Sequence, residues 1–182
     1  MKKRLLLLAG SFVFGSLLLY VLGGPGLAAI YAILWADKVL LGFAGVIRYA
    51  GIEFTTMVTI LTGMLFGPVL AFIFIIIVIP ILHAIKFIAL PLYEPDWPLF
   101  VPHYYNFVDA IGASVAGMAA GLPLLWIMIL VLIARGIMYP FIDFYLLDKG
   151  INFFTIPPTA IFNLLLAWYL GGFFLGLVGL PA

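Results

Sequence analysis

Phe54-Thr55-Thr56-Met57-Val58-Thr59-Ile60-Leu61-Thr62-Gly63-Met64-Leu65-Phe66, followed at once by Gly67-Pro68, decides how this chain is threaded. As a helix the stretch reaches only about 20 Å, against a hydrocarbon core of about 30 Å. If it crosses a membrane, it is one of seven spans. Lys2, Lys3, Arg4, Arg48, Lys86 and Lys149 then all fall on one side, in line with the positive-inside rule. If it is tilted back as a re-entrant segment, six spans remain, both termini lie inside, and Lys86 and Lys149 move outside. Seven is the preferred count.

Working outward, turn signals cut the rest of the chain at a similar pitch. The expected apolar segments are 5–22, 27–48, 54–66, 69–90, 105–121, 123–148 and 157–180. The breaks fall at Gly23-Gly24-Pro25-Gly26, Tyr49-Ala50-Gly51, Gly67-Pro68, residues 91–104, Gly121-Leu122-Pro123, and Gly150 through Pro157-Pro158. Proline lacks an N–H and clashes with the preceding turn, so these are natural helix ends. Residues 91–104 hold Pro91, Pro95, Pro98 and Pro102 and cannot be helical; Tyr104, Tyr105 and Phe107 follow. This is read as an interfacial aromatic loop, with a lid over a binding site as the alternative.

The chain has 182 residues, 67% of them hydrophobic, with eight Lys/Arg and seven Asp/Glu. Its charged share is 8%, where a soluble domain carries about 25%. The reading is an all-α, polytopic transmembrane helix bundle forming a single domain over residues 1–182, a multi-pass protein of the cell membrane in contact with lipid. A formal charge of +1 gives no footprint for nucleic acid. The absence of cysteine excludes disulfides, thiolate metal sites, iron–sulfur clusters and Cys nucleophiles. Met1-Lys2-Lys3-Arg4 and the apolar run to Leu22 have the form of a signal peptide, but are read as an uncleaved first span; Gly23, Gly24 and Gly26 keep processing open as the alternative.

Small residues form seams. Ala28, Ala32 and Ala36 recur every four residues with Gly45 on about the same face, while Gly112/Ala116/Ala120 and Ala113/Gly117/Gly121 run side by side on the fifth segment. Such faces let backbones approach closely in lipid, where the hydrophobic effect gives helices no preference for each other. They serve either packing within the chain or docking of another membrane subunit.

Charges far from a membrane edge cost roughly 2.5–3.5 kcal/mol on insertion scales, so each needs a reason. Asp37 and Lys38, adjacent and pointing about 100° apart on a helix, are each expected to need a partner elsewhere or a cavity. Glu53 suits the positive end of the helix that follows, and Asp109 looks like a first-turn acid. His83 and Lys86 share a face near the end of 69–90, with Lys86 placed to snorkel to the interface. Arg135 lies mid-segment, two turns from Asp143 and out of its direct reach, so it needs a carboxylate from another helix or an anionic ligand. Asn163, after Thr155 and Thr159, suits a helix–helix hydrogen bond or a substrate contact. Glu53, Asp109, Arg135 and Asn163 are the candidate ligand-binding residues.

No catalytic constellation is present: there is no HExxH, G-x-S-x-G or P-loop, and no paired Asp motif for Mg²⁺. His83, His103 and the scattered acids could in principle hold a metal or a haem, but nothing in the sequence places them together, and no cofactor or metal is expected.

The stretch Gly51-Ile52-Glu53-Phe54-Thr55-Thr56 through Gly63-Met64-Leu65-Phe66-Gly67-Pro68 resembles the second-to-third-helix region of substrate-binding S-components of energy-coupling-factor transporters. Gly63 and Gly67-Pro68 match their Gly-x-x-x-Gly-Pro signature. Ala28/Ala32/Ala36 match the Ala-x-x-x-Ala face that docks the coupling subunit, and Asn163 matches a late Asn more loosely. Those proteins usually have six helices; here 5–22 is an addition if 27–48 plays their first. The resemblance implies a binder of a vitamin-like solute, taken from outside and closed over by a loop, with energy from separate ATPase subunits. Two other readings stand beside it. One is a non-catalytic subunit of a larger membrane complex, docking through Ala28, Ala32, Ala36, Gly112, Ala116 and Ala120. The other is a lipid-modifying enzyme using Arg135, Asp143 and Asp148.

Overall fold

A computed structural model describes residues 2–41, 51–90, 97–148 and 156–181. Among these residues the regular structure is all helical: α1 (Lys2–Trp35), α2 (Thr55–Ala89), α3 (Tyr104–Met118), α4 (Leu124–Phe141) and α5 (Ile156–Leu177). Five-residue π-helical turns extend α1 through Ala36–Leu40 and α4 through Ile142–Leu146. Four helices, counted with these extensions, are long and apolar enough to cross a membrane: Lys2–Leu40, Thr55–Ala89, Leu124–Leu146 and Ile156–Leu177. Arg48, Lys149, Thr155 and Gly45 lie outside the described residues, as do 91–96 of the proline-rich stretch.

Two of the four are broken at the expected Gly-Pro pairs. Gly24 has φ 75° and ψ −169°, ahead of Pro25, and Gly67 has φ 71° and ψ 177°, ahead of Pro68. Positive φ is open to glycine without a Cβ penalty, and proline cannot bond back across the break. In α1 the consequence is a reversal. Tyr31 donates its hydroxyl proton to the Ser11 carbonyl at 2.9 Å, Trp35 Nε1 donates to Ser11 Oγ at 3.1 Å, and the Phe12 and Trp35 rings lie 5.1 Å apart. In a straight helix Ser11 and Tyr31 would stand about 30 Å apart.

The short stretch 55–66 is the centre of the bundle. Every residue from Thr55 to Gly63 is buried. Its threonines are accommodated by bonding back along the helix, Thr59 Oγ1 to the Thr55 carbonyl and Thr62 Oγ1 to that of Val58, both at 2.7 Å. Around it pack Ile30, Leu34, Ile75, Ile79, Ala113, Ile127 and Val131, all fully enclosed. The seams on α3 are spent here. A Cβ at Gly63 would overlap the Ala113 carbonyl, a Cβ at Gly117 would overlap Gly67-Pro68, and Ala116 is fully buried. Gly112 and Ala116 therefore face into the chain, whereas Ala120 is exposed and Ala28, Ala32 and Ala36 are half-buried. The outer surface is apolar: Leu6, Phe14, Val21, Val69, Trp126, Ile137 and Trp168 are all exposed.

The two ends of the bundle differ. At one end Gly26 lies against the Val178 carbonyl and Leu65, while Gly117 lies against Gly67-Pro68. At the other, Gly51 lies against Pro158-Thr159, and the first residues of α2 and α3 meet the last turns of α4. From the shared turn at Gly67, residues 55–66 reach about 18 Å and residues 68–89 about 33 Å. From the turn after Met118, α3 reaches about 22 Å while Leu124–Leu146 reaches about 34 Å. By nominal rise 55–66 and α3 are thus about 12–15 Å shorter than these neighbours, and their starts are enclosed in a recess where Thr55, Thr56, Asn106 and Asp109 are buried.

Candidate functional site

Arg135 sits in that recess. It lies inside α4, two turns before the π-helical turn, with only 5% of its surface exposed. Its Nη1 lies 3.0 Å from Glu53 Oε1, and its Nη2 lies 3.0 Å from Asp109 Oδ1. Nη2 also donates to the Tyr139 hydroxyl at 2.7 Å, which in turn donates to Asp109 Oδ1 at 2.9 Å. Tyr139 is one helical turn on from Arg135, so both project from one face of α4. Glu53 is further held by Thr56 Oγ1 at 2.6 Å. The guanidinium is thereby clamped by carboxylates from two other segments, the arrangement its planar fork favours.

The network continues towards the surface. Tyr105 packs edge-on to Tyr139, with centroids 5.4 Å apart, and its hydroxyl donates to Asp143 on the π-helical turn. His103 lies 4.8 Å from Tyr105, and Trp97 lies 4.9 Å from His103. Residues 97–103 are non-helical, as the prolines required.

Three of the four candidate binding residues, Glu53, Asp109 and Arg135, are brought together. Asn163 is fully buried, but its Nδ2 donates to the Thr159 carbonyl at 2.9 Å and its Oδ1 has no partner among the described residues. It joins α5 to itself rather than to the Arg135 cluster. Tyr105 is among the aromatics read as interfacial, whereas nothing in the sequence singles out Tyr139. The signal available was the i, i+4 spacing of Arg135 and Tyr139, which is common enough to pass unnoticed.

Several single-residue expectations are corrected. Glu53 directly precedes α2 and accepts from Thr56 Oγ1, but a second carboxylate, Asp37, also stands there, accepting from the Phe54 backbone N–H at 2.7 Å and from Thr55 Oγ1 at 2.6 Å. Asp37 lies on the π-helical turn after α1, beside the start of α2. Asp37 and Lys38 do approach each other, at 3.6 Å, although neighbours on a helix point apart. Both are buried, and the long lysine arm folds back to its neighbour's carboxylate. Asp109 is not in the first turn of α3, whose N-terminus is closed by His103 and Asn106: His103 Nδ1 accepts from Tyr105 N at 3.3 Å, and Asn106 Oδ1 accepts from His103 N at 2.7 Å. Lys86 is buried, its Nζ 4.8 Å from the Phe87 ring centre, and does not extend to solvent. Arg135 and Asp143 stay apart as expected, Asp143 being engaged by Tyr105.

Comparison with known protein families, curated proteins and solved structures finds no match. Among the described residues no group of three or more His, Asp and Glu is placed to hold a metal ion.

Proposed function

We propose that this chain is a membrane-embedded component that binds a small, vitamin-like solute, with the recess around Arg135 as its site. The observation that carries the reading is the convergence of Glu53, Asp109 and Arg135 from three separate segments into one recessed cluster. A chain needing only a stable bundle gains little from such a cluster, because a buried ion pair is often no better than packed apolar residues. The resemblance to energy-coupling-factor S-components supports the same reading, with energy supplied by separate ATPase subunits.

In this reading the chain crosses the membrane seven times, with reversals at Gly24-Pro25 and Gly67-Pro68. The near-identical backbone angles at the two glycines support it, as does the hairpin contact of Tyr31 and Trp35 with Ser11. Lys2, Lys3, Arg4 and Lys86 then share the end that holds the recess, which the positive-inside rule directs to the cytoplasm. That orientation opens the site inward, where the resemblance alone implies capture from outside. The half-buried Ala28/Ala32/Ala36 stripe is the surface we assign to a partner subunit, since the α3 seam is largely consumed within the chain.

The test is purification from the native membrane in mild detergent, with mass spectrometry of co-purifying proteins and retained small molecules. A stoichiometric ATPase pair with a coupling protein, or a bound solute, supports the reading. A different large complex holding no small ligand makes the chain an accessory subunit.

A further inference from the structure

The charge balance of the recess bears on what it holds, and the argument rests on the solute-binding reading above. Two carboxylates, Glu53 and Asp109, face one guanidinium at 3.0 Å each. Asp143 stands beyond Tyr105, which donates to it and packs its ring against Tyr139, and no Lys or Arg lies within 4.0 Å of Asp143 among the described residues. Among the described residues the cluster therefore has more carboxyl groups than cations.

Helix ends do not restore the balance. The N-terminus of α2 is taken by Asp37, itself paired with Lys38, and that of α3 is closed by His103 and Asn106. Asp143 follows the C-terminal end of α4, where the helix contributes partial negative charge. With Asp109 buried and Glu53 and Asp143 half-buried, such an excess of negative charge is unfavourable until something positive shares the site.

A second observation points to the other half of the ligand. Although Arg135 is 5% exposed, its Nε has no hydrogen-bond partner, and its Nη1 reaches Glu53 without the alignment of a hydrogen bond. Buried donors are nearly always satisfied, so these N–H groups await an acceptor. A row of rings, Tyr139, Tyr105, His103 and Trp97, adjoins the cluster, and ring faces attract cations.

We infer that the recess takes a small organic cation that also carries a hydrogen-bond acceptor. The positive charge lies among Glu53, Asp109 and Asp143, and the acceptor meets the free donors of Arg135. An inorganic cation leaves those donors unmet. An anionic solute meets three carboxylates and an arginine that is already neutralised.

The test is equilibrium dialysis of the full chain in lipid nanodiscs against small-molecule extract of cells that express it. The extract is divided into cation-exchange-retained, anion-exchange-retained and unretained fractions, with both compartments read by mass spectrometry. The expected result is at least threefold enrichment of a compound from the cationic fraction, lost in Glu53→Gln, whose amide leaves Arg135 paired with Asp109. Should Glu53→Gln not fold, Asp143→Asn on the half-buried turn is expected to weaken the same enrichment. Enrichment confined to the anionic or unretained fraction, or unchanged in the folded variant, overturns the charge assignment and leaves solute binding standing. No enrichment from any fraction overturns both.

Discussion

Arg135 shows why a lone charge in an apolar segment underdetermines its partner. From the sequence it required a carboxylate on another helix or an anionic ligand; the fold supplies two carboxylates, Glu53 and Asp109. Removing a buried cation from such a clamp leaves uncompensated acids. Arg135→Met is expected to lower stability by about 3 kcal/mol, measured by denaturation in detergent micelles. Adding Glu53→Gln and Asp109→Asn removes the stranded charges and is expected to recover most of that loss. A triple variant no more stable than Arg135→Met would show that the acids were not held by the arginine. Asp37 teaches the converse. Its need for a partner was legible, but the partner is a backbone N–H and a hydroxyl at the head of the next helix, groups that no charge pattern marks.

At the scale of elements, 55–66 was the ambiguous stretch because length alone judged it. A helix surrounded on all sides by its own chain need not match the hydrocarbon thickness by itself. Its burial from Thr55 to Gly63 is what makes so short a helix tenable. The contact with α3 depends on Gly63, where a Cβ would run into the Ala113 carbonyl and the neighbouring backbone. Gly63→Ala is therefore expected to destabilise by about 1–3 kcal/mol. Gly121→Ala, with nothing within 4 Å of its Cβ, should change stability by no more than about 0.5 kcal/mol. Equal effects from the two would mean that α2 and α3 are not in close contact at Gly63. The α3 seams were visible in the sequence, but a small-residue stripe has the same pattern whether its neighbour belongs to the same chain or to another.

Over the whole molecule, charge among the described residues is confined to one end. Residues 12–36, 54–82, 110–134 and 157–182 contain no Asp, Glu, Lys or Arg, and they include both Gly-Pro breaks and the turn after α3. The opposite end carries the basic N-terminus, the Arg135 cluster and the Asp37–Lys38 pair. With seven crossings this asymmetry fixes an orientation that can be measured, because the chain has no cysteine of its own. Single variants Lys3→Cys and Leu122→Cys, treated in intact cells with a membrane-impermeant maleimide, are expected to differ. Leu122→Cys should label from outside, and Lys3→Cys only after permeabilisation. Labelling of both from the same side would rule out the seven-crossing arrangement.

The sequence by itself determined the apolar, all-helical class, the glycine-proline breaks and the short list of polar residues that needed explaining. These are local properties: composition sets the solvent, Gly-Pro sets the backbone, and a charge in an apolar run carries its desolvation cost wherever the run is placed. Only the tertiary structure decided that 55–66 is the enclosed centre, that Glu53 and Asp109 meet on Arg135 while Asn163 does not, and that Asp37 meets the first residues of α2. Those outcomes depend on which helices are neighbours and how deep each begins, and in lipid that choice rests on the fit of small residues and buried polar partners across helices far apart in the chain.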